Sequence, residues 1–155
     1  MRDGVSPSCV VLPAHHAAPL LDRLATHLPV VGRDEWLARM LAGDVVDALG
    51  LPARPEQVVK GSVRLFYYRH LPGEPELPFE HEVLYQDEHL LVADKPHFMP
   101  VTPTGRYVQQ SLLVRLKRQL GLPDLSPLHR IDRDTAGLVL FSVQQRTRGV
   151  YQALF

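Results

Sequence analysis

Cysteine is almost missing from these 155 residues: Cys9 is the only one. A single thiol excludes an internal disulfide framework and any multi-thiolate metal site. Net charge is missing too, because 17 Lys+Arg balance 17 Asp+Glu, with 8 His beside them. That balance excludes a uniformly basic nucleic-acid coat, so any face for RNA or DNA has to be local. No apolar run approaches the roughly 20 residues of a membrane-spanning helix. The N-terminus, with Asp3 and Pro7, has no signal-peptide core. These absences lead to the expectation of a soluble chain in a reducing, cytoplasmic setting with no membrane partner. With 45% hydrophobic and 22% charged residues, the composition is that of a globular rather than a disordered protein.

The 14 prolines and 10 glycines are too many for a helical bundle, and their clustering is informative. Three prolines lie within residues 71–78, Leu-Pro-Gly-Glu-Pro-Glu-Leu-Pro, removing backbone donors and favouring extended conformations. This stretch reads as a linker over residues 71–81, between a first module over residues 1–70 and a second over residues 82–155. Charge divides at the same place. Through residue 80 there are 8 basic and 10 acidic residues, a net −2; beyond it there are 9 and 7, a net +2. Residues 106–148 alone hold 8 basic and 3 acidic residues, a local +5.

In the first module, Leu20, Leu21, Leu24 and Leu28, then Trp36, Leu37, Met40 and Leu41, recur at helical spacing. Asp34 is the expected N-cap of the second helix and Gly43 its stop, with short strands at Val45-Val46 and residues 62–68. Trp36, at that spacing, is expected in the core rather than as a base-stacking platform. In the second module, residues 83–85 and 89–93 predict a hairpin around Gln86-Asp87-Glu88. Leu112, Leu113, Leu116 and Leu120 predict a helix closed by Gly121, with Arg115, Lys117 and Arg118 on a solvated face. The run Leu138-Val139-Leu140-Phe141 predicts a strand covered on both faces. Ser142 and Gln145 have capping-box spacing, which places a helix start near Val143. Val150, Tyr151, Leu154 and Phe155 carry an apolar stripe to the last residue, so the chain is expected to stop inside a domain.

The segment Leu128-His129-Arg130-Ile131-Asp132-Arg133-Asp134-Thr135-Ala136-Gly137 precedes the apolar run and concentrates charge and hydrogen-bonding groups. A short polar loop mounted on a rigid strand is a common seat for catalytic groups, because the scaffold fixes their geometry. The plainer alternative is a salt-bridged turn. Its order, His129-Arg130-Ile131-Asp132-Arg133-Asp134-Thr135-Ala136-Gly137 and then aliphatics, resembles the signature of the RluA-type RNA pseudouridine synthases. That signature runs His-Arg-Leu-Asp, two variable residues and Thr-Ser-Gly. Upstream, residues 85–96 resemble the opening hairpin and Lys-Pro element of that family, here Lys95-Pro96. His97-Phe98 stands where a glycine is usual. The first module is similar to an S4-like RNA-binding module through Asp22-Arg23-Leu24, the Trp36 helix, Val45 and Lys60-Gly61-Ser62.

The resemblance implies an α+β chain: a small S4-like helix-strand module followed by an incomplete mixed or antiparallel-sheet synthase domain. It implies isomerisation of uridine to pseudouridine in structured RNA, rRNA or tRNA, with no cofactor, no metal and no obligate protein partner. Asp132 is the implied catalytic carboxylate, acting on either C6 or the ribose C1′. Arg130 is implied in base displacement, and its planar guanidinium suits stacking in a vacated base position. His129 belongs to the same substrate-binding segment and is expected to brace the loop, while Thr135 and Gly137 are expected to be architectural. The resemblance also implies later strands, one with Tyr and one with Arg, around the aspartate.

The same residues admit other readings. A non-enzymatic or inactive RNA-binding fragment is the alternative from a different class. Asp132-Arg133-Asp134 also suggests the paired aspartates of a Mg²⁺-dependent phosphatase, but those follow directly on an apolar strand, and Leu128-His129-Arg130-Ile131 intervenes here. His15 and His16 are adjacent, point apart and lack companion ligands, which argues against a metal.

Overall fold

A computed structural model describes residues 1–14, 17–69 and 73–155. His15, His16, Leu71 and Pro72 therefore lie outside the described residues. The chain separates into two compact units, one of Ser6–Arg69 and one of Met1–Val5 with His70–Phe155. Met1–Val5 thus groups with the second unit, not with the helices that follow it, because Val5 packs with Val108 and Val114.

The first unit runs β1 (Ser8–Leu12), α1 (Leu20–His27), α2 (Arg33–Leu41), β2 (Val45–Val46) and β3 (Val63–Tyr67). Its sheet is antiparallel in the order β1-β3-β2. The apolar stripes of both helices meet it in a core of Leu12, Leu20, Leu24, Trp36, Met40 and Leu65. Trp36 is fully buried, edge-on to Tyr67 at a centroid distance of 5.1 Å, so its ring is packing rather than a stacking platform. Gly32, not Asp34, precedes α2; Asp34 sits in the first turn, where its charge still suits the helix dipole. Arg23 is turned inward. Its guanidinium donates to the carbonyls of Pro13 (2.6 Å), Val59 (2.5 Å) and Gly61 (3.2 Å), stitching the segments around α1.

The second unit contains β4 (Glu82–Gln86), β5 (Leu90–Lys95), α3 (Leu112–Leu120), β6 (Ser126–Pro127), β7 (Gly137–Ser142) and α4 (Gln145–Gln152). Its antiparallel sheet has the order β4-β5-β7-β6, so the hairpin strand β5 pairs with a strand more than 40 residues later. Leu91, Ala93, Val139 and Phe141 face α3 and bury with Met99, Leu112, Leu116 and Leu125. Gly121 closes α3 in the left-handed region, φ +65°.

Several local expectations are corrected. The run from Leu138 to Phe141 alternates: Val139 and Phe141 are fully buried, whereas Leu138 is 53% exposed on the opposite face of the sheet. The Ser142/Gln145 capping box does not form. Val143 N–H still donates to His89 O (2.9 Å) as an extension of the ladder, and Ser142 Oγ donates to Gln144 O (2.7 Å), so α4 starts at Gln145. The basic face of α3 is solvated only at Arg118. Arg115 donates to Phe79 O (2.7 Å) and Leu77 O (2.6 Å) and also pairs with Gln110, while Lys117 is buried. Residues 74–81, read from composition as a linker, are strapped to this unit. The Glu74 carboxylate accepts the N–H groups of Val108, Gln109 and Gln110 at 2.7–2.9 Å, and His81 reaches Gln119 at 2.9 Å.

The β4–β5 turn is built by Asp87. Its Oδ1 accepts from His89 N and Leu90 N, and its Oδ2 from Tyr85 Oη, each at 2.7 Å. Hydrogen bonds from Leu90, Tyr85 and His89 lower its pKa from 3.8 to about 2. A depressed folded pKa means stabilisation that is complete above pH 3.8 and lost as pH falls through about 2. The His89 and Leu90 amide proton shifts are expected to titrate with a midpoint near 2; a midpoint near 3.8 would contradict the turn described here.

Candidate active site

The loop over residues 128–136 leaves β6 and enters β7 at Gly137, whose φ of +140° favours glycine. Both of its ends are fixed by the sheet. Leu128 N–H donates to Leu140 O (2.9 Å), and Lys95, the last residue of β5, is in register with Gly137. Inside the loop, Thr135 N–H donates to Asp132 O (3.2 Å), closing a tight turn around the carboxylate.

Most of the polar side chains in this loop are committed to structure. His129 Nε2 accepts a hydrogen bond from Leu140 N–H (3.1 Å), which fixes a neutral ring carrying its proton on Nδ1 and ties the loop to β7. Its ring also lies 5.2 Å from that of Phe155. Arg133 Nε binds Asp134 Oδ1 at 2.8 Å in an exposed pair. That pairing takes Arg133 toward Asp134 and away from Asp132, and it occupies the second carboxylate of the Asp132-Arg133-Asp134 sequence.

Asp132 and Arg130 are different. Among the described residues neither the Asp132 carboxylate nor the Arg130 guanidinium makes a hydrogen bond or ion pair, and both are exposed. They line one cavity of about 430 Å³, whose walls are Pro100, Val101, Thr102 and Thr104 on one side and Arg130, Ile131, Asp132 and Arg133 on the other. That volume is in the range of small-ligand sites, roughly 300–1,000 Å³. Three apolar residues, two hydroxyls, two guanidinium groups and one carboxylate line it, a mixed surface that suits a planar, polar-edged ligand.

Lys95 ties together the two backbone segments that line the cavity. It is fully buried, and its ammonium donates to Met99 O (2.7 Å), Pro96 O (3.0 Å) and Arg133 O (3.1 Å). Three carbonyl partners match its three protons, and the bond to Arg133 O joins the Lys-Pro element to the loop just past Asp132. Burial lowers its pKa from 10.5, against a smaller opposite effect of the Asp134 charge. Residue spacing did not reveal this role, since a lysine before a proline reads as a strand end. Thr102 and Thr104 were missed as well, because Thr-Pro-Thr-Gly reads as turn chemistry. A second concavity, about 230 Å³ in the first unit, is lined by Leu12, Pro13, Asp22, Arg23 and Thr26 among others, and its arginine is already committed to three carbonyls.

No cluster of three or more His, Cys, Asp or Glu side chains suited to a metal occurs among the described residues. No helix among them is long and apolar enough to cross a membrane.

Known proteins share this segment. Residues 89–155 match the family model described as RNA pseudouridylate synthase. The chain is 36% identical over 108 residues to an uncharacterized RNA pseudouridine synthase of Synechocystis sp., covering 70% of this chain and 37% of that protein. It is 29% identical over 122 residues to RNA pseudouridine synthase 5 of Arabidopsis thaliana, covering 72% and 32%. Over 75 residues it is 36% identical to the mitochondrial tRNA pseudouridine(32) synthase of Saccharomyces cerevisiae, covering 48% and 16%. The chain spans about a third of the length of the first two of these relatives. The segment from His89 to Phe155, which holds Lys95, the cavity and the Asp132 loop, is thus the part of the chain that is similar to the RNA pseudouridylate synthase family.

Proposed function

We propose that the second unit isomerises uridine to pseudouridine in structured RNA, rRNA or tRNA, with Asp132 as the catalytic carboxylate. The observation that carries this reading is the pairing of one uncommitted carboxylate with one uncommitted guanidinium on a single cavity wall, while His129, Arg133 and Asp134 are all engaged. In the reaction the N1–C1′ bond breaks, the uracil turns and C5–C1′ forms. The C5 proton is lost and N1 gains one, so neither oxidant nor energy source is needed. Asp132 supplies negative charge or a nucleophile beside the sugar and base. The reaction also requires that the detached uracil stay beside the sugar until C5–C1′ forms.

A base reaches such a cavity only by leaving its stack, at a cost of a few kcal/mol. Exposed Arg130, beside Asp132, is suited to fill the vacated place and pair with phosphate. The first unit has the helix-strand content of an S4-like module and serves as an accessory RNA contact. Its Arg23 belongs to the internal stitching described above, so phosphate contacts there fall to other basic residues.

Nucleoside analysis of uridine-containing RNA incubated with the chain tests the reading. Pseudouridine is expected to accumulate equally with and without EDTA. Hydrolysis of a phosphate ester that needs Mg²⁺, without pseudouridine, would replace the reading with the phosphatase one. The exposure of Asp132 favours one second reading, RNA binding without turnover, which predicts RNA retention and no product in the same experiment.

A further inference from the structure

The family resemblance leaves His97 and Phe98 without a role, since they stand where a glycine is usual. In the structure Phe98 takes the left-handed conformation, φ +65°, at a turn that a glycine would adopt without strain. The turn is held from both sides. Met99 and Pro100 beyond it are buried, Met99 O accepts from Lys95, and the Phe98 ring lies 5.9 Å from that of Phe79. Bent in this way, the chain brings His97 Nδ1 to 2.7 Å from Asp134 O. A carbonyl only accepts, so the ring must carry its proton on Nδ1.

Two consecutive carbonyls immediately after Asp132 are thus gripped from the same opposing segment: Arg133 O by Lys95 and Asp134 O by His97. Lys95 acts from within the core and His97 from the surface. A loop held at one point can pivot about it, whereas two points fix its direction, and that direction sets where the Asp132 carboxylate lies in the cavity. We propose that His97 is a positioning residue for Asp132, acting through its Nδ1–H hydrogen bond to Asp134 O. The proposal rests on the assignment of Asp132 made above.

The test uses the full chain and the variants His97→Ala, His97→Asn and His97→Gln. The asparagine amide nitrogen lies close to where Nδ1 lies, whereas the glutamine amide falls near Nε2. Amide hydrogen exchange at Thr135, whose N–H closes the turn on Asp132 O, is expected to accelerate about ten-fold in Ala and Gln and to stay near wild type in Asn. Amides of β5 and β7 should keep their wild-type rates. In tritium-release assays kcat should fall about ten-fold in Ala and Gln with KM within about two-fold, and Asn should restore it.

Unchanged Thr135 exchange in His97→Ala would overturn the proposal. Equal rescue by Gln would do so as well, as would acceleration spread across β5 and β7. The exchange readout does not depend on turnover: if it follows the expected pattern while Asp132→Asn retains full activity, the assignment of Asp132 fails and the grip by His97 stands.

Discussion

Asp132→Asn should lower the rate of uridine isomerisation by about a thousand-fold or more, with RNA retention changed less than about three-fold. The substitution keeps shape and removes charge. Nothing in the fold depends on that charge, because among the described residues the carboxylate has no hydrogen-bond or ion-pair partner and is exposed. Its backbone oxygen, which accepts from Thr135, is untouched. Stability should therefore be unaltered, within about 0.5 kcal/mol, as for other surface substitutions. A group unused by the fold yet essential to turnover is the signature of a catalytic role. Binding and melting curves measured beside the rate would separate that role from a structural one.

Lys95→Met should be strongly disruptive to the second unit, costing about 2–4 kcal/mol in chemical unfolding. Methionine fills nearly the same volume but leaves the buried carbonyl of Met99, and the part-buried carbonyls of Pro96 and Arg133, without their donor. Relief of the buried charge offsets part of that loss, which is why the estimate stays below the sum of three hydrogen bonds. The pH dependence gives an independent check. Burial holds the folded pKa below 10.5, so the unfolded chain binds more protons between that folded value and 10.5. Wild type should gain stability relative to Lys95→Met as pH rises through this window. A constant difference would mean that Lys95 is not desolvated as described.

Strong periodicity and turn chemistry made much of the fold legible. The leucine stripes placed α1 and α3, Gly121 marked the end of α3, and the hairpin around Asp87 followed from two short apolar runs. What escaped depends on distant partners. β1 and β6 become strands through β3 and β7, and Ser126-Pro127 has no strand pattern of its own. Ser142 had the residues of a capping box, but the neighbouring strand claimed the next N–H first. The prolines of residues 71–81 suggested a free tether, while Glu74 and the carbonyls of Leu77 and Phe79 bind that stretch to the segment leading into α3 and to α3 itself.

The candidate site divides in the same way. The resemblance to a family signature singled out His129, Arg130 and Asp132, because that signature is one contiguous loop. Lys95, Thr102 and Thr104 join it only when β5 pairs with β7 and the turn at Phe98 folds back. The inward direction of Arg115 and Lys117 was hidden for the same reason: a helix face looks solvated until the segments lying across it are placed.

The central claim is that the cavity holding Asp132 and Arg130 isomerises uridine. Tritium release from RNA labelled as 5-³H-uridine reports breakage of the C5–H bond that this reaction requires. Release is expected from the wild-type chain in EDTA, and none above background from Asp132→Asn at equal RNA occupancy. Release that continues undiminished in Asp132→Asn would contradict the claim.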